Sequence, residues 1–142
     1  MEKLLVSACL LGIPCRYDGK SKPVHDVISL SKKYKLIPAC AEELGGLSTP
    51  RIPAEIVGER VIRYDGADVT QEYILGAQRV LDIAIENGCE KAILKSKSPS
   101  CGRGLVYDGS FTRTLKTGDG ICARLLVENG IKVINEKETD KL

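Results

Sequence analysis

One histidine, no tryptophan and no Cys-x-x-Cys pair mark this 142-residue chain by what it lacks. A single histidine excludes a His-rich zinc site, so any metal here must lean on thiolate. Without Cys-x-x-Cys, thioredoxin-like redox work, zinc ribbons and bacterial-ferredoxin ligation lose their signature. No apolar run reaches the ~20 residues that cross a bilayer. Neither sign of charge dominates: 21 Lys+Arg stand against 19 Asp+Glu, for a net +2. A dedicated nucleic-acid binder would show a clear basic excess. The opening Met1-Glu2-Lys3-Leu4-Leu5-Val6 has no signal-peptide layout. The expectation is a cytoplasmic protein with neither a membrane nor a stable nucleic-acid partner.

What the chain has in quantity is cysteine, six residues in all. In a reducing compartment these are packing, catalytic or metal-binding thiols, not disulfides. Apolar runs at Leu4–Cys9, Leu36–Cys40, Ala92–Leu94 and Lys132–Ile134 read as strands. A helix is expected from Thr70 to Asn87, capped by Asp68 or Thr70 and stopped by Gly88. A second runs from near Gly120 to before Gly130, and a shorter one from Val24 to Lys33. Strands alternating with helices predict an α/β fold: a single three-layer Rossmann-like domain spanning 1–142, with a mainly parallel sheet of about four strands. Hairpins are expected around Gly58-Glu59 and Asp108-Gly109-Ser110, and a frayed tail over 136–142. Tyr-Asp-Gly recurs at 17–19, 64–66 and 107–109, which reads as turn chemistry and not as an internal repeat.

Cys9, Cys40 and Cys101 each fall where a strand gives way to a loop rich in Gly, Pro or Ser. Ligands of open α/β sheets bind outside the carboxyl ends of the strands. Parallel neighbouring strands would therefore bring the three thiols to one edge. The plainer alternative is that all six cysteines are small buried hydrophobes. Cys89 and Cys122 read as packing residues, and Cys15 as a fourth ligand, a redox partner or a bystander.

Val6-Ser7-Ala8-Cys9-Leu10-Leu11-Gly12 with Arg16-Tyr17-Asp18-Gly19 resembles the opening motif of a bacterial family that includes the 2-thiouracil desulfidases. Pro38-Ala39-Cys40-Ala41-Glu42 with Gly45–Glu55 resembles its second motif, and Lys95 with Ser98-Pro99-Ser100-Cys101-Gly102 its third. Tyr107–Phe111 and Gly118-Asp119-Gly120 complete the set. The resemblance implies a 4Fe–4S cluster held by Cys9, Cys40 and Cys101, with one iron free of any protein ligand. It also implies removal of sulfur, without net redox change, from a small thiolated pyrimidine. Ala41 stands where the family favours proline, Arg113 where glycine is common, and Cys15 where members vary.

On this reading the thiocarbonyl sulfur meets the open iron, a soft Lewis acid, and water replaces it at carbon. Glu42, two residues beyond Cys40, is the candidate general base, against the plainer role of helix capping. Ser100 is a second candidate catalytic group. Ser48, Ser98, Lys95, Tyr17 and Asp18 are candidate substrate contacts, although serines in such turns commonly satisfy local backbone. Lys95 is expected to pair with Glu42 or substrate, and Arg51 with an acid such as Glu55. Two alternatives use the same thiols: a cluster-based sulfide carrier, and a non-catalytic iron–sulfur sensor or binding module.

Overall fold

Apolar residues alternate faces along the central strands, and that alternation builds the two cores flanking the sheet, with a third cluster of Ala54, Ile56, Val61, Val69, Tyr73 and Val106 under the hairpins. A computed structural model describes all 142 residues. In chain order come β1 (Glu2–Ser7), a 3-10 turn (Ala8–Leu11), α1 (His25–Ile28) with a following 3-10 turn (Ser29–Lys32), β2 (Tyr34–Ala39) and α2 (Ala41–Leu44). Next are β3 (Ala54–Val57), β4 (Arg60–Arg63), α3 (Thr70–Glu86) and β5 (Lys91–Leu94). The chain ends with β6 (Leu105–Tyr107), β7 (Leu115–Thr117), α4 (Ile121–Glu128), β8 (Lys132–Asn135) and a 3-10 turn (Thr139–Lys141).

Four strands form one sheet in the order β2-β1-β5-β8, and all three of its pairings are parallel. Leu5, Ala92, Leu94 and Val133 face α3 and α4, packing on Ala77, Val80, Leu81, Ala84, Ala123 and Leu126. Their neighbours Leu4, Val6, Ile93 and Ile134 face the other side, over Leu10, Val27 and Tyr34. The result is the expected three-layer α/β arrangement. No helix is long and apolar enough to cross a membrane. The two hairpins, β3–β4 and β6–β7, form where expected and are antiparallel.

The three Tyr-Asp-Gly copies share one geometry, which bears out the turn reading. In each, the Asp side chain accepts the amide two residues on, at Lys20, Ala67 and Ser110, and the Gly takes a positive φ. Gly88 and Gly130 end α3 and α4 in left-handed conformation, with the following amides reaching back to Ala84 and Leu126. At the start of α3, Asp68 Oδ1 accepts the Thr70 amide at 2.9 Å, while Thr70 Oγ1 accepts the Val61 amide.

The differences lie at the sheet's carboxyl edge. β1 stops at Ser7, so Cys9 sits in a 3-10 turn beyond the strand, and Cys40 directly precedes a short helix, α2, that the apolar pattern does not announce. Gly45 and Gly76 let α2 cross α3 at backbone contact: a Cβ on Gly76 would stand 1.9 Å from the Ala41 carbonyl oxygen. The 136–142 stretch opens with a held residue. Glu136 is buried and accepts the Ser96 amide at 2.8 Å.

Candidate metal centre

The strand order reverses direction about β1: the chain passes from β1 to β2 on one side, then to β5 on the other. Such a switch point opens a crevice at the carboxyl ends of the strands. A cavity of about 890 Å³ lies there, and Cys9, Cys15, Cys40 and Cys101 all line it. Cys89 and Cys122 are buried elsewhere, against the α3–α4 face of the sheet.

Each thiol is positioned by different local chemistry. Cys9 follows β1 in the 3-10 turn, and its carbonyl accepts the Gly12 and Lys22 amides. Cys40 is the first residue ahead of α2, with Ala41 at the first helical position. Proline is well accommodated at that position, which accounts for the family preference from which Ala41 departs. Cys101 sits in a loop tied down twice. Ser98 Oγ accepts the Ser100 and Cys101 amides at 3.0 and 2.9 Å. The carbonyls of Pro99, Ser100 and Gly102 accept amides at the start of α4, from Gly120 to Ala123. This approach requires glycine at 120, where a Cβ would meet the Ser100 carbonyl at 2.4 Å.

The thiols perturb one another. Cys40 pulls the Cys15 thiol down, but Cys9 and burial outweigh it and push Cys15 up to about 11. Cys15, then burial, raises Cys40. Burial pushes Cys101 up to about 12 against the Ser7 and Ser100 hydroxyls, which favour its thiolate. Ser7 Oγ accepts the Lys95 amide at 2.9 Å, leaving its proton to face sulfur. Ser100 Oγ is fully buried with no hydrogen-bond partner. A crowd of thiols with an orphaned hydroxyl beside one of them is a soft donor set that a positively charged metal group would deprotonate and satisfy. The residues present fit a thiolate-held iron–sulfur cluster.

Beside the thiols, Glu42 forms an ion pair with Arg51, at 2.7 Å from Nε and 2.5 Å from Nη2. Both side chains are largely buried, at 8% exposure for Arg51 and 14% for Glu42. Arg51 also donates to the carbonyls of Cys15 and Ser48 and to Thr49 Oγ1, so one guanidinium joins the loop after β1 to α2 and to the turn before β3. The Tyr73 hydroxyl lies against Glu42, and burial together with that carboxylate raises it strongly. Lys95 pairs with Glu136 at 3.3 Å, and Glu55 instead accepts the Gly109 and Phe111 amides.

These contacts correct two expectations. Lys95 does not pair with Glu42, because β5 and β8 are neighbours and present Lys95 and Glu136 together just past their ends. Arg51 does not pair with Glu55, which lies in β3 and turns toward the 108–111 loop.

Other candidates divide. Tyr17, Lys95 and Ser98 line the cavity; Asp18, Ser48 and Ser100 do not. Asp18 holds the Lys20 amide, and Ser48 donates to the Pro50 carbonyl. Arg113 lines the cavity at φ +60°, a conformation that explains why glycine is common at this position. Sequence reasoning missed Ser7, Tyr73 and Glu136. Ser7 carried a signal, a lone hydroxyl at the end of an otherwise apolar strand; the others had none.

Comparisons with known proteins identify a family and a solved relative. Residues 4–138 match the 2-thiouracil desulfurase family. An uncharacterized protein of Bacillus subtilis (strain 168), YbbK, is 41% identical over 149 residues, covering 98% of this chain and 99% of its own. The solved structure of the 4Fe–4S-dependent thiouracil desulfidase TudS superposes with a TM-score of 0.95 at 42% identity, covering 100% of this chain and 95% of that one.

Proposed function

This chain belongs to the 2-thiouracil desulfurase family, and we propose that it removes sulfur from a thiolated pyrimidine at a 4Fe–4S cluster held by Cys9, Cys40 and Cys101. The observation that carries the reading is the convergence of these thiols on one cavity beside the Glu42–Arg51 pair. When bound, a cluster with three protein thiolates supplies one uncovered iron, a soft Lewis acid for thiocarbonyl sulfur.

The rest is the work of this chain's residues. Glu42 accepts the proton of the water that attacks the thiocarbonyl carbon. Arg51 and the Tyr73 hydroxyl hold the Glu42 carboxylate in one orientation, which shortens the search for a productive geometry. Lys95, fixed by Glu136, presents its ammonium to the cavity, where it orients the polar edge of the ring. Ser98 fixes the backbone of Cys101, and the Ser7 and Ser100 hydroxyls are placed to donate to its sulfur once it is a thiolate. Tyr17 and Phe111 supply aromatic wall at the cavity mouth. Ser100 thus serves the metal ligand and not the substrate, and Ser48 and Asp18 shape the surrounding turns. A thiolate-held cluster persists in a reducing compartment, which favours the cytoplasm.

The test is iron and acid-labile sulfide per chain in anaerobically prepared protein, together with sulfide release from 2-thiouracil. The expected result is a four-iron cluster that is lost when Cys9, Cys40 or Cys101 becomes serine and kept when Cys89 does. Glu42→Gln is expected to keep the visible absorbance and lose turnover. An intact cluster with no sulfide release from any thiouracil would overturn the reading.

A further inference from the structure

Cys15 is the one cavity thiol that the proposed cluster does not use. It is buried at 2% exposure. Its sulfur, the Cys40 sulfur and a Glu43 carboxylate oxygen all lie within 4.8 Å of one another. Local structure brings them together. Glu43 stands three residues after Cys40 in the first turn of α2, the spacing at which a glutamate folds back on the residue that starts a helix. Thr49 Oγ1 donates to the Glu43 carboxylate. The Cys15 carbonyl is fixed from two sides, by Arg51 Nη2 at 3.0 Å and by the Cys40 thiol at 3.8 Å. Three ligating atoms of two kinds thus lie close together, on backbone that is already held.

We propose that Cys15, Cys40 and Glu43 form a second, single-ion site for a thiophilic divalent cation of the zinc type, exclusive of the cluster because both need Cys40. Zinc takes thiolate at ~2.3 Å and carboxylate at ~2.0–2.2 Å, so tetrahedral ligand atoms stand roughly 3.5 Å apart. The three atoms, within 4.8 Å of one another, stand at most about 1.3 Å beyond that spacing. Binding replaces the two thiol protons, which pass to solvent, and a water completes the fourth position. Cys101 takes no part. The site therefore stands or falls separately from the cluster reading, and occupation by zinc would block cluster assembly at Cys40.

The experiment uses the full chain without its cluster and zinc alone, in competition with a chromophoric chelator under anaerobic conditions. The expected result is one zinc per chain, weakened more than about tenfold by Cys15→Ser or Glu43→Gln and unchanged by Cys101→Ser. Equal affinity in Cys15→Ser, or an equal loss in Cys101→Ser, overturns the proposal. X-ray absorption of zinc bound to the unaltered chain gives an answer that does not depend on the variants folding. Two sulfur neighbours with oxygen support the site, and three sulfurs or none overturn it.

Discussion

The backbone contact between α2 and α3 makes Gly76→Ala a demanding test of how the site is held. Alanine in the middle of an exposed helix normally stabilises by about 1 kcal/mol over glycine. Here the added Cβ would stand 1.9 Å from the Ala41 carbonyl oxygen and 3.2 Å from the Gly45 amide nitrogen, where ordinary contacts are 3.4–4 Å. Both obstacles are backbone, so no side chain can swing away. Relieving the clash requires α2 to move off α3 by about 1.5 Å, the gap between 1.9 and 3.4 Å. Overpacking of this kind costs up to about 3 kcal/mol, and subtracting the propensity gain leaves about 2 kcal/mol of net destabilisation. In a domain of this size that lowers Tm by roughly 6–8 °C. Because Cys40 and Glu42 ride on α2, the same movement displaces a proposed cluster ligand and the proposed base together. A misplacement near 1 Å lowers turnover about 100-fold. Thermal melts, iron content and sulfide release measured on one preparation read all three effects. Gly88→Ala is the control, since φ +67° with open space around it gives strain far from the cavity. It should lower Tm and leave turnover per cluster unchanged. A Gly76→Ala protein with unaltered or raised Tm and full activity would refute the positioning argument.

Two further outcomes follow from the ion pairs. Arg51→Met should lower kcat about 10- to 100-fold with little change in KM or iron content, because the Glu42 carboxylate loses its orientation but not its place; a Lys substitution should restore only part, lacking the two-pronged contact. Unchanged kcat in steady-state sulfide release would remove Arg51 from the machinery. Glu136 is opposed by burial but lowered by Lys95 and the Ser96 amide and hydroxyl, so its folded value lies below the ordinary carboxylate range. Its contribution is therefore full above the unfolded value near pH ~4.3 and is lost as pH falls through the folded value. Glu136→Gln should cost about 2 kcal/mol at pH 7 and flatten the fall in stability below pH ~4.3 in urea titrations; an acid slope identical to the unaltered chain would count against the pair.

The four strands were legible because a parallel sheet covered on both faces buries successive residues such as Leu4–Val6 and Ala92–Leu94, leaving continuous apolar runs, and the hairpins because turns demand glycine. The convergence of Cys9, Cys40 and Cys101 was legible for the related reason that parallel strands place their carboxyl ends on one edge. Partners across loops were not legible. Arg51 finds Glu42 only because the 45–53 segment doubles back over α2, and no local pattern encodes that path. Gly76 reads in sequence as a weak point within a helix, although its missing side chain is what admits α2. Glu136 looked like the start of a charged tail because its place beside Lys95 follows from strand order, which periodicity does not fix. Cys15 stayed ambiguous since its neighbours in the chain say nothing of its neighbours in space.

The loop carrying Cys101 supplies the carbonyls that receive the first amides of α4. Loop and helix are therefore one inheritable part: a graft of residues 98–102 from a relative keeps this docking only while position 120 stays glycine, because a Cβ there would meet the Ser100 carbonyl at 2.4 Å. Variation in what the cavity admits is then easier to introduce at the Tyr17 and Arg113 rims, which support no helix, than at the wall that carries this sulfur. A designer seeking a new substrate would leave the α4 end of the site intact and rebuild the mouth.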